Sequence, residues 1–262
     1  NTAPTSSVFS QDFTSTSGRE ILAYCFTSKP GFSKIGSYTA TGSAGTPIVQ
    51  TGFKPAFVMV KNINKSQEWI MIDDKRNDGK NSLQPNSADA ENTAGDNAIS
   101  LYANGFAIAV SGSGVNYQSG DTFIYIAFAA DPSTTTPSLA NSFATETYTG
   151  TASTQSITGI GFKPDFTWIK NRLAGGTSHN LFTPLYGQTG YYLKSNSTDA
   201  LSPTSEIGAY GISAFNSDGF TLVGPGGWTN ANGNSYVSWN WKAGVTPSIN
   251  TDGTITSVVS AN

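Results

Sequence analysis

"GFKPAFVMVKN" occupies residues 52–62, and "GFKPDFTWIKN" occupies residues 161–171, an offset of 109. Seven of the eleven positions are identical, and the changes are Ala56/Asp165, Val58/Thr167, Met59/Trp168 and Val60/Ile169. Recurrence at a fixed offset is the signature of a repeated architecture. Working outward, "YTATGSAG" (38–45) precedes the first copy and "YTGTAS" (148–153) the second. Beyond them follow "LQPNSADA" (83–90) and "LKSNSTDA" (193–200), then "NGFAIAV" (104–110) and "DGFTLVG" (218–224). Each unit closes on a long apolar segment, "GDTFIYIAF" (120–128) or "GNSYVSWNW" (233–241). The offset drifts from 109 to 114, which small loop insertions account for.

The closing segment occurs a third time as "GREILAYCF" (18–26), after "SSVFS" (6–10). The expected organisation is therefore four pieces. Residues 1–30 hold the last strands of a truncated first repeat, 31–133 and 140–245 are two β-sandwich repeats of about 110 residues, and 246–262 is a linker leading into a further repeat.

Apolar segments are short, rich in Val, Ile, Phe, Tyr, Trp and Thr, and bounded by Gly, Asn, Asp, Ser and Pro. No window shows a helical stripe. In the closing segments Leu22, Tyr24 and Phe26, then Ile124, Ile126 and Phe128, then Val237, Trp239 and Trp241 share one large apolar face. The other face is mixed: Ile21/Phe123/Tyr236, Ala23/Tyr125/Ser238 and Cys25/Ala127/Asn240. The first face is expected in the sandwich core, with Trp168, Trp239 and Trp241, and the second partly in solvent. The fold class is all-β, as tandem sandwiches.

Charged residues make up only 12% of the 262, against about a quarter in ordinary domains, and net charge is −3. Nucleic-acid readers need clustered positive charge, which this chain lacks. No apolar run reaches membrane-spanning length, so neither nucleic acid nor membrane insertion is expected. The single cysteine, Cys25, allows no internal disulfide and fits folding in a reducing cytoplasm.

Catalytic and metal chemistry find few residues. His179 is the one histidine, without a second His or Cys to pair with, and reads as a turn or strand-start residue. In "EWIMIDD" (68–74), Glu68 and Asp74 share a strand face but stand about 20 Å apart, too far for a glycosidase pair. No enzyme activity is expected. "DDKRNDG" (73–79), "NSDGF" (216–220) and "NTDGT" (250–254) could supply Ca²⁺ oxygens but lack EF-hand spacing and read first as tight turns. No cofactor is expected.

The loops before the closing segments, "SQDFTSTSG" (10–18), "SGSGVNYQSG" (111–120) and "GPGGWTNANG" (224–233), each carry one aromatic among small polar residues. Phe13, Tyr117 and Trp228, with Asn116, Asn230 and Asn232, are candidate sugar-binding tips. The same aromatics also read as lids over the core.

The wording of the units, most of all "GFKPDFTWIKNR", "HNLF", "LKSNSTDA" and "GNSYVSWNWKAG", resembles a repeat of tail-fibre-like and other virion proteins of marine bacteriophages, usually grouped with concanavalin-like lectin/glucanase sandwiches. That resemblance implies a virion-surface structural role and supplies no catalytic residue. Such repeats often read Leu-Phe-Asp-x-x-Arg-Gly after the His. Here "LFTPLYG" (181–187) has Thr183 and Tyr186 instead, while "MIDDKRN" (71–77) keeps Arg76 with Asp73 or Asp74. The expected function is a module of a tail fibre or other virion appendage that displays weak host-glycan sites. Expected partners are host glycan, other virion proteins or further copies of the chain; a trimer is open to it, though no heptad run supports one. A purely structural filament or capsid-decoration protein, and a bacterial adhesin or carbohydrate-binding module, are the alternatives.

Overall fold

The computed structural model describes residues 23–111, 114–129, 142–186, 191–201, 210–243, 248–250 and 257–259. The chain divides into two units, residues 28–242 and the two ends, 1–27 with 243–262. In the second unit the described strands form one antiparallel pair, β16 (Ser248–Asn250) with β17 (Ser257–Val259). Phe13, Ile21 and Leu22, and most of the segments 1–30 and 246–262, lie outside the described residues.

The larger unit holds both repeats as β-sandwiches. The first has β1 (Ser33–Thr39), β2 (Ile48–Gln50), β3 (Pro55–Asn62), β4 (Ile70–Asp73), β5 (Ile99–Tyr102), β6 (Gly105–Ile108) and β7 (Thr122–Ala129). Its sheets run β1-β7-β3-β4 and β2-β6-β5. The second has β8 (Phe143–Thr149), β9 (Gln155–Ile157), β10 (Phe166–Asn171), β11 (Asn180–Phe182), β12 (Leu193–Lys194), β13 (Gly211–Asn216), β14 (Gly219–Val223) and β15 (Ser235–Trp241). Its sheets run β12-β11-β10-β15-β8 and β13-β14-β9, every pairing antiparallel. The only helical turn among the described residues is a 3₁₀ turn, Pro184–Tyr186.

The repeated landmarks are repeated packing. Tyr38 stacks on Phe123 at 5.1 Å, meets Phe106 edge-on at 6.2 Å, and donates its hydroxyl to the Val115 carbonyl at 2.7 Å. Tyr148 does the same with Tyr236 at 5.2 Å, Phe220 at 6.4 Å and the Thr229 carbonyl at 2.9 Å. In the GFKP strands Asn62 Oδ1 accepts from the amides of Asn64 and Lys65, and Asn171 Oδ1 from those of Leu173 and Ala174. An Asn side chain that receives two following amides fixes the turn after the strand.

The faces of β7 and β15 are the reverse of the expected ones, and residues 23–26 of the earlier segment are not in a strand. The first core is built from Phe123, Tyr125 and Ala127 with Val58, Val60, Ile70 and Ile72, packed on Ile99, Phe106 and Ile108. Tyr236 serves the second core, and Ser238 and Asn240 beside it are fully buried. Phe128, Trp239 and Trp241 turn away from their own sandwiches and fill the space between the two. Phe57 meets Trp239 and Trp241 edge-on at 6.0 and 5.9 Å, and Phe128 stacks on Phe143 at 5.4 Å. The result is four layers in which the two middle sheets cover each other over part of their outer faces, while Ile35 and Ile124 on that face of the first remain 41% and 38% exposed. A stretch buried on both faces reads as a continuous apolar run, as the last three residues of "TFIYIAFA" do. Trp168 is half-buried on this outer face, not in its own core.

Candidate functional site

The residues between the sandwiches form an extended network of buried charged and polar side chains. Asp73 ends β4, and its Oδ1 accepts from the amides of Lys75 and Arg76, which bends the chain into the loop that follows. Its Oδ2 accepts from Arg76 Nε at 2.7 Å and from the indole N–H of Trp239 at 2.9 Å. The Arg76 guanidinium lies over the Trp239 ring, 5.3 Å from its centre. Arg76 Nη1 reaches Glu91 Oε2 at 3.0 Å, and Arg172 of the second sandwich grips both Glu91 oxygens at 2.9 Å. Asn81 donates to Glu91 Oε1 at 2.8 Å. Burial alone would raise the Glu91 carboxyl; the Arg172 and Asn81 hydrogen bonds and the Arg76 charge outweigh it and hold it below its usual range.

Hydrogen bonds to backbone carbonyls join the same surfaces. The Glu91 amide donates to the Arg172 carbonyl and the Gly176 amide to the Ala88 carbonyl, both at 2.9 Å, and Ser195 Oγ donates to the Pro85 carbonyl. Close by, His179 Nδ1 accepts the Trp168 indole N–H at 2.9 Å. Burial pushes the imidazole well below its ordinary pKa, with the Lys170 and Arg76 charges acting in the same direction against the Gln84 backbone. Lys170 is wholly buried and donates to the carbonyl of Asn171 and the hydroxyl of Thr177; burial lowers its pKa to about 8 against the pull of Asp89.

The Asp–Arg pair of the first repeat is therefore Asp73 with Arg76, and Asp74 takes no part in it. Both side chains are 0% exposed beneath the second sandwich, so the pair joins modules and presents nothing to solvent. The matching positions in the second sandwich are Thr183 and Tyr186.

The predicted loop tips divide. Asn116 and Asn230 are each 0% exposed, which corrects the expectation that they meet a ligand. Asn116 Oδ1 accepts from the Thr41 and Gly42 amides, and its Nδ2 faces the carbonyls of Ser43, Thr46 and Val110. Asn230 repeats this with Thr151, Gln155, Ser153 and Gly224. They are internal staples of their loops. Asn232 is exposed, Tyr117 is 50% exposed and Trp228 is 42% exposed. Tyr117 and Trp228 are not equivalent, because one follows the stapling Asn and the other precedes it by two residues. The counterpart of Trp228 is Gly114, where a Cβ would lie 2.9 Å from Asn97 Oδ1. Trp228 caps the core residue Tyr192 at 5.9 Å, with the Lys194 ammonium 5.6 Å from its ring centre and paired to Asp199 at 2.8 Å.

Two of the calcium candidates are occupied as turn formers, and the third, 250–254, lies outside the described residues from 251 on. In 73–79 Asp73 is spent on the ion pair, and Asn77, Asp78 and Gly79 adopt positive φ. Asp218 accepts from the amides of Gly159 and Gly161, which hold its carboxyl below the usual range. Among the described residues no group of three or more His, Cys, Asp or Glu is placed to hold a metal, and no helix is long and apolar enough to cross a membrane.

Sequence reasoning missed Glu91 and Arg172, and it read Trp239 as a residue of its own core and not of the interface. A signal existed: Asp73/Thr183, Arg76/Tyr186, Glu91/Leu201 and Arg172/Ile63 are charged in one repeat and uncharged in the other.

Fold and site together define a tandem β-sandwich protein whose modules pair through their sheets. The chain belongs to the family described as domain of unknown function DUF7483, whose model matches residues 1–132 and again 138–262. No curated protein and no solved structure matches it.

Proposed function

We propose that the chain is an architectural module of a bacteriophage tail fibre or other virion appendage, non-enzymatic, built to hold paired sandwiches rigidly at the particle surface. The observation that carries the architectural part is the filled face between the sandwiches: Phe57, Phe128, Phe143, Trp239 and Trp241 are all at most 7% exposed. Sheets that bury large aromatics against each other resist bending, which an appendage requires and an isolated binding domain does not. The virion setting rests on the resemblance of the repeat's wording.

A second role, display of weak host-glycan sites, is favoured by Trp228. Its half-exposed indole beside the Lys194–Asp199 pair offers a stacking surface with a donor and an acceptor next to it. Several weak sites on a linked array gain strength through avidity.

Gold-labelled antibody against the recombinant chain tests the setting on particles and cells of the source. Label on a virion appendage supports the reading, and label on the bacterial envelope moves it to an adhesin. A glycan array with the wild type and a folded Trp228→Ala variant tests the second role; silence of both leaves a purely structural module.

A further inference from the structure

We infer that the face between the sandwiches selects an unlike partner: the module carrying Asp73, Arg76 and Glu91 accepts a module that presents an indole N–H and a guanidinium, and rejects a second copy of itself. The inference rests on the architectural reading and adds to it the rule by which modules choose each other.

Two contacts join a residue to its own counterpart in the other repeat, Phe128 to Trp241 with ring centres 5.7 Å apart and Pro85 to Ser195. Self-counterpart contacts point to a pseudo-twofold relation between the modules, under which each pair of positions can be compared with the pair obtained by exchanging modules. The mate of Asp73 with Trp239 is Thr183 with Ile126, where the carboxylate and the N–H are both gone. The mate of Glu91 with Arg172 is Leu201 with Ile63, where both charges are gone. Partners have changed together at both places, so the polar contacts are one-sided.

The charge balance explains why that matters. In the observed pair, two carboxylates, Asp73 and Glu91, meet two guanidiniums, Arg76 and Arg172. A pair of first modules would put Ile126 and Ile63 where Trp239 and Arg172 now stand. Each Asp73–Arg76–Glu91 set would then hold one negative charge too many, on side chains that are 0% and 4% exposed. A buried charge without its partner is strongly unfavourable. A pair of second modules would set Arg172 beside Leu201 with no carboxylate. Discrimination thus comes from penalties on the like pairs as much as from attraction in the unlike one.

The test uses the whole chain with a protease site placed between residues 130 and 141, folded first and then cut, and read by native mass spectrometry and size exclusion. The halves are expected to stay together as unlike pairs, with like pairs absent. Arg172→Glu should weaken their association about 30-fold or more, and Glu91→Gln added to it should recover part of that loss, because it removes the repulsion and keeps an acceptor oxygen for Arg76 and Asn81. If Arg172→Glu fails to fold, Arg172→Ile and Glu91→Leu provide the same cycle with the residues of the mate positions. Halves that pair like with like as readily, or substitutions whose effects simply add, overturn the selectivity and leave the architectural reading standing. Wild-type halves that separate on cutting overturn both.

Discussion

Trp239 of the second sandwich donates its indole N–H to Asp73 of the first at 2.9 Å, and both side chains are 0% exposed. One bond thus ties the closing strand of one repeat to the end of β4 in the other. It couples the fold of each sandwich to the docking of the pair, because Asp73 also shapes its own loop and holds Arg76.

Trp239→Phe keeps the ring contacts with Phe57 and removes the donor. Asp73 then loses one of its Oδ2 partners without access to water. The expected loss is about 1–3 kcal/mol, read as a lower urea midpoint. An unchanged midpoint would show that Arg76 alone satisfies the carboxylate.

Asn116 and Asn230 are expected to behave as a matched pair. Replacing either with Ala leaves amides and carbonyls of its loop unpaired, for about 1–3 kcal/mol each. Asp at either position should be worse than Ala, since its carboxylate would face carbonyls that now receive N–H bonds. Thermal melts of the four variants check this; Asp milder than Ala would contradict the donor assignment.

The buried Lys170 predicts an alkaline dependence. Its folded pKa, about 8, lies below the unfolded value of about 10.4. Between those values the unfolded chain binds more protons, so stability should rise with pH, by up to about 1.4 kcal/mol per unit. Lys170→Met should flatten that rise. Denaturant midpoints across the window decide it, and an identical slope in the variant would assign the rise elsewhere.

Much of the fold was legible because repetition exposes it. Tyr38 and Tyr148, or Asn62 and Asn171, recur since each makes the same contacts within its own sandwich. The layer that each strand face meets was not legible. Alternation separates Phe123 from Ile124 but carries no information about what covers either face, and here the outer face is covered by the second sandwich at Phe128 and left exposed at Ile124. The loop tips failed for a related reason. Asn116 and Asn230 sit in loops rich in Gly and Ser, where composition suggests exposure, yet a side chain with two donors and an acceptor oxygen can serve as the core of a loop.

Gly105 and Gly219 open the second strand of each hairpin, and a Cβ on either would come within 2.0 Å of a backbone oxygen, that of Val49 or Ile157. Neither neighbour is a flexible side-chain end, so β2 or β9 would have to leave its sheet. Gly105→Ala and Gly219→Ala should each destabilise by about 1–3 kcal/mol or more, with loss of amide-exchange protection concentrated in β2 and β9. Retained protection there would mean that the hairpin shifts instead.

His179 sets an acid limit distinct from that of Glu91. In the unfolded chain the imidazole titrates near about 6.5, and in the folded protein well below its usual value, chiefly through burial. The unfolded state therefore takes up the proton first. The stability held above about pH 6.5 should fall as the pH drops towards the folded value, by up to about 1.4 kcal/mol per unit. Glu91, with a folded pKa below its ordinary value, loses its contribution only at lower pH, as the pH falls through that value. His179→Gln should remove the first decline and leave the second. Urea midpoints for both proteins from about pH 7.5 downward distinguish them. A decline in the variant as steep as in the wild type, over the first window, would mean that the buried imidazole is not the group being protonated there.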